Sequence, residues 1–245
     1  MTDQLKNQQE KLIINERHEA WGNLARKLAH EIKNPLTPIQ LTIDRLKTKY
    51  SNELDEKNKE NFNENLKIIN NQIKQIEKLV NEFSDFARMP KPVFQKNDLV
   101  MLIKDNIKLL QELDQTIKID FIHNNQQLFF DGDKEQLSRV FLNLIKNSIE
   151  SIQQKAEKVS DFNKYITIEL NDFDSHISLV INDNGIGFKN LNNNIKEILN
   201  PYFTTKKNGT GLGLSIVNKI INDHNGNIEF ISKADGAIIK IIFRK

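Results

Sequence analysis

Ahead of Met89, apolar side chains recur at spacings of four and three. Phe62, Leu66, Ile69, Ile73, Ile76, Val80 and Phe83 form an unbroken heptad seam, and Leu24, Leu28, Ile32, Leu36, Ile39, Ile43 and Leu46 form a second. That period predicts helices packed as in a coiled coil. The stretch from Lys49 to Glu56 is polar, with Ser51 or Asp55 placed to cap the second helix. The pair therefore reads as an antiparallel helical hairpin. Two helices bury little between them, and pairing with a second copy into a four-helix bundle is the simplest remedy. Residues 4–20, with Leu5, Leu12 and Ile13 among charges, predict a weaker helix leading into the first.

The pattern changes at Met89-Pro-Lys-Pro92, where two prolines stiffen the chain and disfavour helix. Beyond it, Asp98–Leu113 reads as an amphipathic helix and Thr116–His123 as a strand with Ile117, Ile119 and Phe121 on one face. Leu128–Phe130 is a short strand ending at Asp131-Gly-Asp, and Asp133 caps a long helix to about Glu157. Strands over Tyr165–Leu170 and Ile177–Asp183 follow, then a glycine-punctuated stretch. A helix over Leu214–His224 and strands over Asn227–Ser232 and Ala237–Phe243 complete the chain. Helices grouped with a mostly antiparallel sheet make an α+β sandwich, so two domains are expected, all-α then α+β.

Composition narrows the function. At 38% apolar and 28% charged, the 245 residues describe a globular chain rather than a disordered one. A net charge of +2 gives no reason to expect general nucleic-acid binding, which wants a clearly basic face. The absence of cysteine excludes disulfides, thiol catalysis and thiolate metal sites. No apolar run approaches the ~18 residues of a membrane span and the polar start is no signal peptide, so a cytoplasmic location is expected.

Four clusters can carry chemistry. The stripe of the first helix centres near Leu28 and Ile32, so at ~100° per residue His30 points to the opposite side, into solvent. Glu31 can hold one ring nitrogen and leave the other as a nucleophile. Asn34 lies on the same face, four residues on. Pro35 removes a backbone donor and predicts a bend, or a kink without function. His-Glu-Ile-Lys-Asn lacks the second His of a helical zinc site. On the long helix, Asn143 and Asn147 stack on one flank beside Glu150, and amide oxygens so placed suit Mg²⁺. In a chain this rich in Asn such a pair also arises by composition alone. Asp183-Asn-Gly-Ile-Gly-Phe188 follows a strand directly. It offers a carboxylate for a base amino group beside close-approach glycines, or a plain Asn-Gly turn. Finally, Gly209, Gly211 and Gly213 alternate into a helix start, with Thr205, Lys206 and Lys207 just upstream, an arrangement suited to phosphate.

Together and in this order, His-Glu-x-x-Asn-Pro, the paired Asn, Asp-x-Gly-x-Gly and Thr-Thr-Lys with Gly-x-Gly-x-Gly resemble the H, N, G1, F and G2 boxes of sensor histidine kinases, over roughly residues 20–245. The stretch from Ala20 to Leu41 looks like the NtrY-type nitrogen-regulation branch. The resemblance implies a helical linker at 1–20, a dimerisation and histidine phosphotransfer hairpin at 21–88 and a hinge at 89–92. It also implies an ATP-binding domain of the Bergerat type at 93–245. By resemblance, His30 would be the phosphoacceptor, Glu31 its activating base and Asn34 the residue that positions water for a phosphatase activity. Asn147, assisted by Asn143, would coordinate Mg²⁺. Asp183 would accept the adenine amino group, with Gly185 and Gly187 shaping the base pocket. Leu191–Asn208 would be a lid whose Lys206 and Lys207 meet the ATP phosphates and whose Thr205 also binds ATP, with Gly209, Gly211 and Gly213 as its phosphate-binding hinge. The implied partners are a second copy of the chain and a response regulator receiver domain, NtrX-like. A longer parent would be membrane-anchored through its sensing part.

Two other readings use the same features. An ATPase of the gyrase, Hsp90 and mismatch-repair group shares the Asn and Asp-x-Gly-x-Gly elements but lacks a heptad hairpin bearing His-Glu-x-x-Asn-Pro. A dimeric scaffold would bind nucleotide without phosphorylating itself, yet no box residue here is visibly degraded.

Overall fold

The computed structural model describes residues 27–51, 54–87, 89–112, 114–159, 161–188, 195–206, 209–233 and 235–245. The helix expected over 4–20, Leu24, Lys207 and part of the expected lid lie outside the described residues. The chain divides into two compact units, one reaching to Pro90 and taking in Lys206–Thr210, the other formed by Lys91–Thr205 and Gly211–Lys245.

The first unit carries helix α1 over residues 27–50 and helix α2 over Glu56–Ala87. Asp55, rather than Ser51, caps α2: its carboxylate accepts the Asn58 N–H at 2.9 Å. Helix α1 continues unbroken through Pro35 and Pro38. Gln40 donates to Asn70 at 3.4 Å and Ser51 to Asn63 at 3.3 Å, which sets the helices antiparallel. Leu36, Ile43, Leu66 and Ile73 form the buried seam, with Phe62 packed against it.

Each heptad stripe splits into two rows. Ala29, Leu36 and Ile43 on α1 and Leu66, Ile73 and Val80 on α2 are buried, whereas Leu28, Ile32, Ile39, Leu46, Ile69 and Ile76 stay 37–45% exposed. The centre of the α1 stripe is thus shifted from the expected Leu28 and Ile32 to the row of Leu36. A single partner helix covers only one row of a two-row seam.

The second unit holds β1 (Gln95–Asp98), α3 (Leu99–Gln111), β2 (Lys118–His123), β3 (Phe129–Gly132), α4 (Lys134–Ala156), β4 (Tyr165–Asp172) and β5 (His176–Asp183). A 3₁₀ turn at Ile195–Leu199, α5 (Gly213–Asp223), β6 (Gly226–Ser232) and β7 (Ala237–Arg244) follow. Five strands form one sheet in the order β2-β4-β5-β7-β6; only the β2–β4 pair is parallel. β1 and β3 make a separate antiparallel pair.

Alternation assigns the faces. Ile168, Ile181 and Ile239 stand in one row and Leu170, Leu179 and Ile241 in the next. All are buried, as are Leu137, Phe141, Leu144 and Ile152 of α4 and Val217 and Ile220 of α5. Each such side chain contributes roughly 1.5–3 kcal/mol. Asp183 continues the inward series of Ile177, Leu179 and Ile181, in register with Ile166 and Ala237. A carboxylate therefore ends a row of core positions.

Asp98 and Asp133 cap α3 and α4. Asp133 also accepts the Val93 N–H at 2.8 Å. Burial works to raise its carboxyl, but the amides of Gln136, Val93 and Glu135 outweigh it and hold it low. Buried His224 accepts the Asp133 N–H at Nε2 and stands 2.8 Å by Nδ1 from the Ile220 carbonyl, joining the end of α5 to the start of α4. Among the described residues, no helix is long and apolar enough to cross a membrane.

Candidate functional site

Helix α4 positions most of the site. Ser148 is buried and donates its hydroxyl to Asp183 Oδ2 at 3.1 Å, while the Gly185 N–H donates to Asp183 Oδ1 at 2.9 Å. Each carboxylate oxygen is thus held by a donor. Burial pushes the Asp183 carboxyl above the usual carboxylate range. The Gly185 amide, the Ser148 hydroxyl, the Ala237 amide and Lys233 oppose that shift without cancelling it. One turn further along α4, the Ser151 hydroxyl and carbonyl both accept from the Ile186 N–H, at 3.1 and 3.3 Å. A Cβ on Gly185 would come within 2.2 Å of Ser151 Oγ, so the loop lies directly on the helix.

The opposite wall is the turn between β6 and β7. Gly236 has φ +100°, and a Cβ there would lie 1.9 Å from the Asp183 carbonyl oxygen. Gly187, at φ +65°, faces it: a Cβ there would sit 2.3 Å from the Gly236 carbonyl. Only glycines allow these two backbones to meet. Lys233 from the same turn donates to Asn182 at 2.9 Å.

Near the middle of α4, Asn143 donates its amide to the Arg139 carbonyl at 2.8 Å. Its carbonyl oxygen is turned to α5: a Cβ on Gly213 would lie 3.1 Å from it. Asn147 is half-buried one turn on. Among the described residues no group of three or more His, Cys, Asp or Glu could hold a metal. Amide oxygens are hard donors, however, and suit a Mg²⁺ ion that keeps water and phosphate ligands. Five residues separate Asn143 from Ser148, about 7.5 Å of helix rise. The glycine-opened start of α5 and the Asp183 carboxylate are therefore held at two places along one rigid element.

Gly211, at φ +69°, accepts the Tyr202 N–H at 3.0 Å through its carbonyl, and Gly209 donates to the Lys206 carbonyl at 3.2 Å. Thr205 is exposed. His30, Glu31 and Asn34 are all exposed on α1, while Ala29 beside them is buried. Ser148, Ser151 and Gly236 escaped the sequence reading. The two serines follow the paired Asn without a motif of their own, and Asp235-Gly236 carried only a turn signal.

The geometry of Asp183 sets a pH response. On the expectation that the ionised Asp183 carboxylate accepts an adenine amino group, ADP affinity should fall on acidification at a higher pH than an ordinary aspartate (~3.9) would produce. Stability moves the other way. A raised folded-state value means that the ionised group costs stability at neutral pH, a cost relieved as pH falls through that value. Calorimetric titration of ADP across this window checks the sign. An affinity that is flat with pH would contradict it, and Asp183→Asn should be flat.

Two family models match the chain. Residues 20–92 match the His Kinase A (phospho-acceptor) domain, and residues 132–245 match the histidine kinase-, DNA gyrase B- and HSP90-like ATPase. A sensor histidine kinase described as NtrY-like from Rickettsia prowazekii is 40% identical over 244 residues, 99% of this chain and 39% of that protein. Nitrogen regulation protein NtrY of Azorhizobium caulinodans is 36% identical over 235 residues, 92% of this chain and 28% of its own length. The chain thus spans well under half of these relatives. Among solved structures, histidine kinase ThkA in complex with the response regulator protein TrrA superposes with a TM-score of 0.65 at 26% identity, covering 99% of this chain and 67% of that one.

Proposed function

This chain belongs to the sensor histidine kinases, ATP-dependent enzymes of two-component signalling, and on that premise we propose that it phosphorylates His30 from ATP and passes the phosphoryl group to an aspartate of a response regulator. The observation that carries this reading is the exposed His30–Glu31–Asn34 face on a helix whose other side is buried. An exposed imidazole is reachable by two different macromolecular reactants in turn, first the nucleotide-bearing domain and then the regulator.

Asp183 accepts the adenine amino group, in a pocket shaped by Gly185 and Gly187. Asn147 and Asn143 would hold Mg²⁺, which when bound neutralises phosphate charge. Gly209, Gly211 and Gly213 present backbone amides to the phosphates, with Thr205 and Lys206 beside them. Glu31 takes a hydrogen bond from one imidazole nitrogen and leaves the other to attack the γ-phosphorus, as the bond to the ADP oxygen breaks. Asn34 orients water for the reverse activity, dephosphorylation of the regulator. The domains divide at the Met89–Pro92 hinge, and an NtrX-like receiver domain is the partner that the NtrY relatives suggest. A longer parent protein anchored in a membrane fits the short span of those relatives that this chain covers.

The test is incubation of the chain with γ-labelled ATP and Mg²⁺. Label lost in acid and stable in base is expected, the signature of phosphohistidine. Steady ATP hydrolysis without label would move the assignment to a gyrase-type ATPase, and nucleotide binding without either would leave a scaffold.

The second row of each heptad stripe supports homodimerisation. Ile32, Ile39, Leu46, Ile69 and Ile76 stay partly exposed on the hairpin, and a second copy would cover them. Ile39→Asp would put a charge into that seam at a cost of several kcal/mol. Sedimentation should show a monomer where the parent is a dimer; a variant that sediments as a dimer would count against the seam.

A further inference from the structure

We propose that Lys155, in the last turn of α4 and outside the recognised motifs, is a positioning residue for base recognition by Asp183; this rests on the ATP-binding reading above. The Lys155 ammonium donates to the Asn184 carbonyl at 2.8 Å. That carbonyl and the Gly185 N–H are the two ends of one planar peptide unit. The N–H end is the donor on Asp183 Oδ1, at 2.9 Å. Lys155 therefore grips the far end of the peptide that aims the base-reading carboxylate. A cation on the carbonyl also polarises the peptide, making its N–H a stronger donor.

The lysine is itself held in place. It pairs with the Asp235 carboxylate, its ammonium lies 4.6 Å from the centre of the Phe162 ring, and its side chain is only 16% exposed. Asp235 precedes Gly236, whose backbone rests on the Asp183 carbonyl. One ammonium thus ties both walls of the loop, the helix and the β6–β7 turn. The Asp235 side chain is 66% exposed, so the ion pair by itself contributes little; what matters is the largely buried ammonium, which ends on the carbonyl of the same peptide that donates to Asp183. Asn184 is fixed besides, its side chain accepting the Tyr165 N–H at 3.1 Å, so loss of Lys155 loosens the peptide without releasing the loop.

The experiment compares binding of ADP and of inosine diphosphate, which carries an acceptor where adenine carries its amino donor, to the full chain by calorimetry. Lys155→Met should weaken ADP binding about tenfold and reduce the adenine preference by a similar factor, as expected for loss of one charge-assisted hydrogen bond. Lys155→Arg should restore both. Lys155→Gln, which keeps a neutral donor, carries the same comparison if the methionine variant does not fold. Equal weakening of both nucleotides, with the preference intact, would reduce Lys155 to a structural support and overturn the proposal. Parent protein that binds ADP without preferring it to the inosine form would overturn the base-reading role of Asp183 itself, and this proposal with it.

Discussion

Replacing His30 by Gln is expected to abolish phosphoryl uptake from ATP while leaving ADP affinity within about twofold of the parent, as for independent sites in separate units of the chain. Gln has a similar reach and a good helix propensity, so α1 has no reason to fray. What the variant lacks is a ring nitrogen with an unshared pair, and neither Glu31 nor Asn34 can supply one of comparable nucleophilicity toward phosphorus. Exposure of the position means that no packing is lost. Labelled ATP and a calorimetric ADP titration on the same preparation separate the two effects. Label retained in the variant at the parent level would move the acceptor to another residue. Loss of label together with ADP binding would show a folding defect rather than a missing nucleophile.

The second large effect belongs to a residue with no chemistry of its own. Gly236→Ala forces a Cβ into the 1.9 Å gap before the Asp183 carbonyl oxygen, at a φ of +100° that side-chain-bearing residues rarely adopt. Backbone strain and overpacking together cost on the order of 3–5 kcal/mol. That is a large share of the ~5–15 kcal/mol that holds a domain folded. The chain can relieve the overlap only by moving the β6–β7 turn or the Asp183 loop, and moving either spoils the carboxylate's two hydrogen bonds. Thermal unfolding should fall by about 10 °C, and ADP affinity should drop with it. Unchanged melting would mean that the turn yields freely, which would make its contact with the loop incidental.

The helices and most strands were legible because the period of their apolar positions is set by the element itself. Asp133 announced the start of α4 for a similar reason, a side-chain acceptor just before an apolar run. β1 was not legible: Gln95–Asp98 is four polar residues, and they form a strand because β3 lies beside them. The split of each hairpin stripe was hidden because both rows are Ile and Leu, and only packing decides which row meets the neighbouring helix. Ala29 was passed over for its size, yet it is buried in the same row as Leu36. In the site, Asp183 and Asn143 stood out by type and spacing. The residues that hold them did not. Ser148, Lys155 and Gly236 act through contacts between segments far apart in sequence, and a contact of that kind leaves no local pattern.

Helix α4 bears Asn143 near one end of the site and Ser148, Ser151 and Lys155 near the other. Groups fixed on one helix are aligned once, when the protein folds, and not again for each ligand. On the proposed reading, a nucleotide whose base has engaged Asp183 delivers its phosphates to the start of α5 at a high effective concentration, without a second loss of rotational freedom. Adenosine and pyrophosphate offered separately would each lose that freedom anew. Their affinities multiplied together should fall well short of the affinity for the intact nucleotide, and the shortfall measures the stiffness of the helix that joins the two ends.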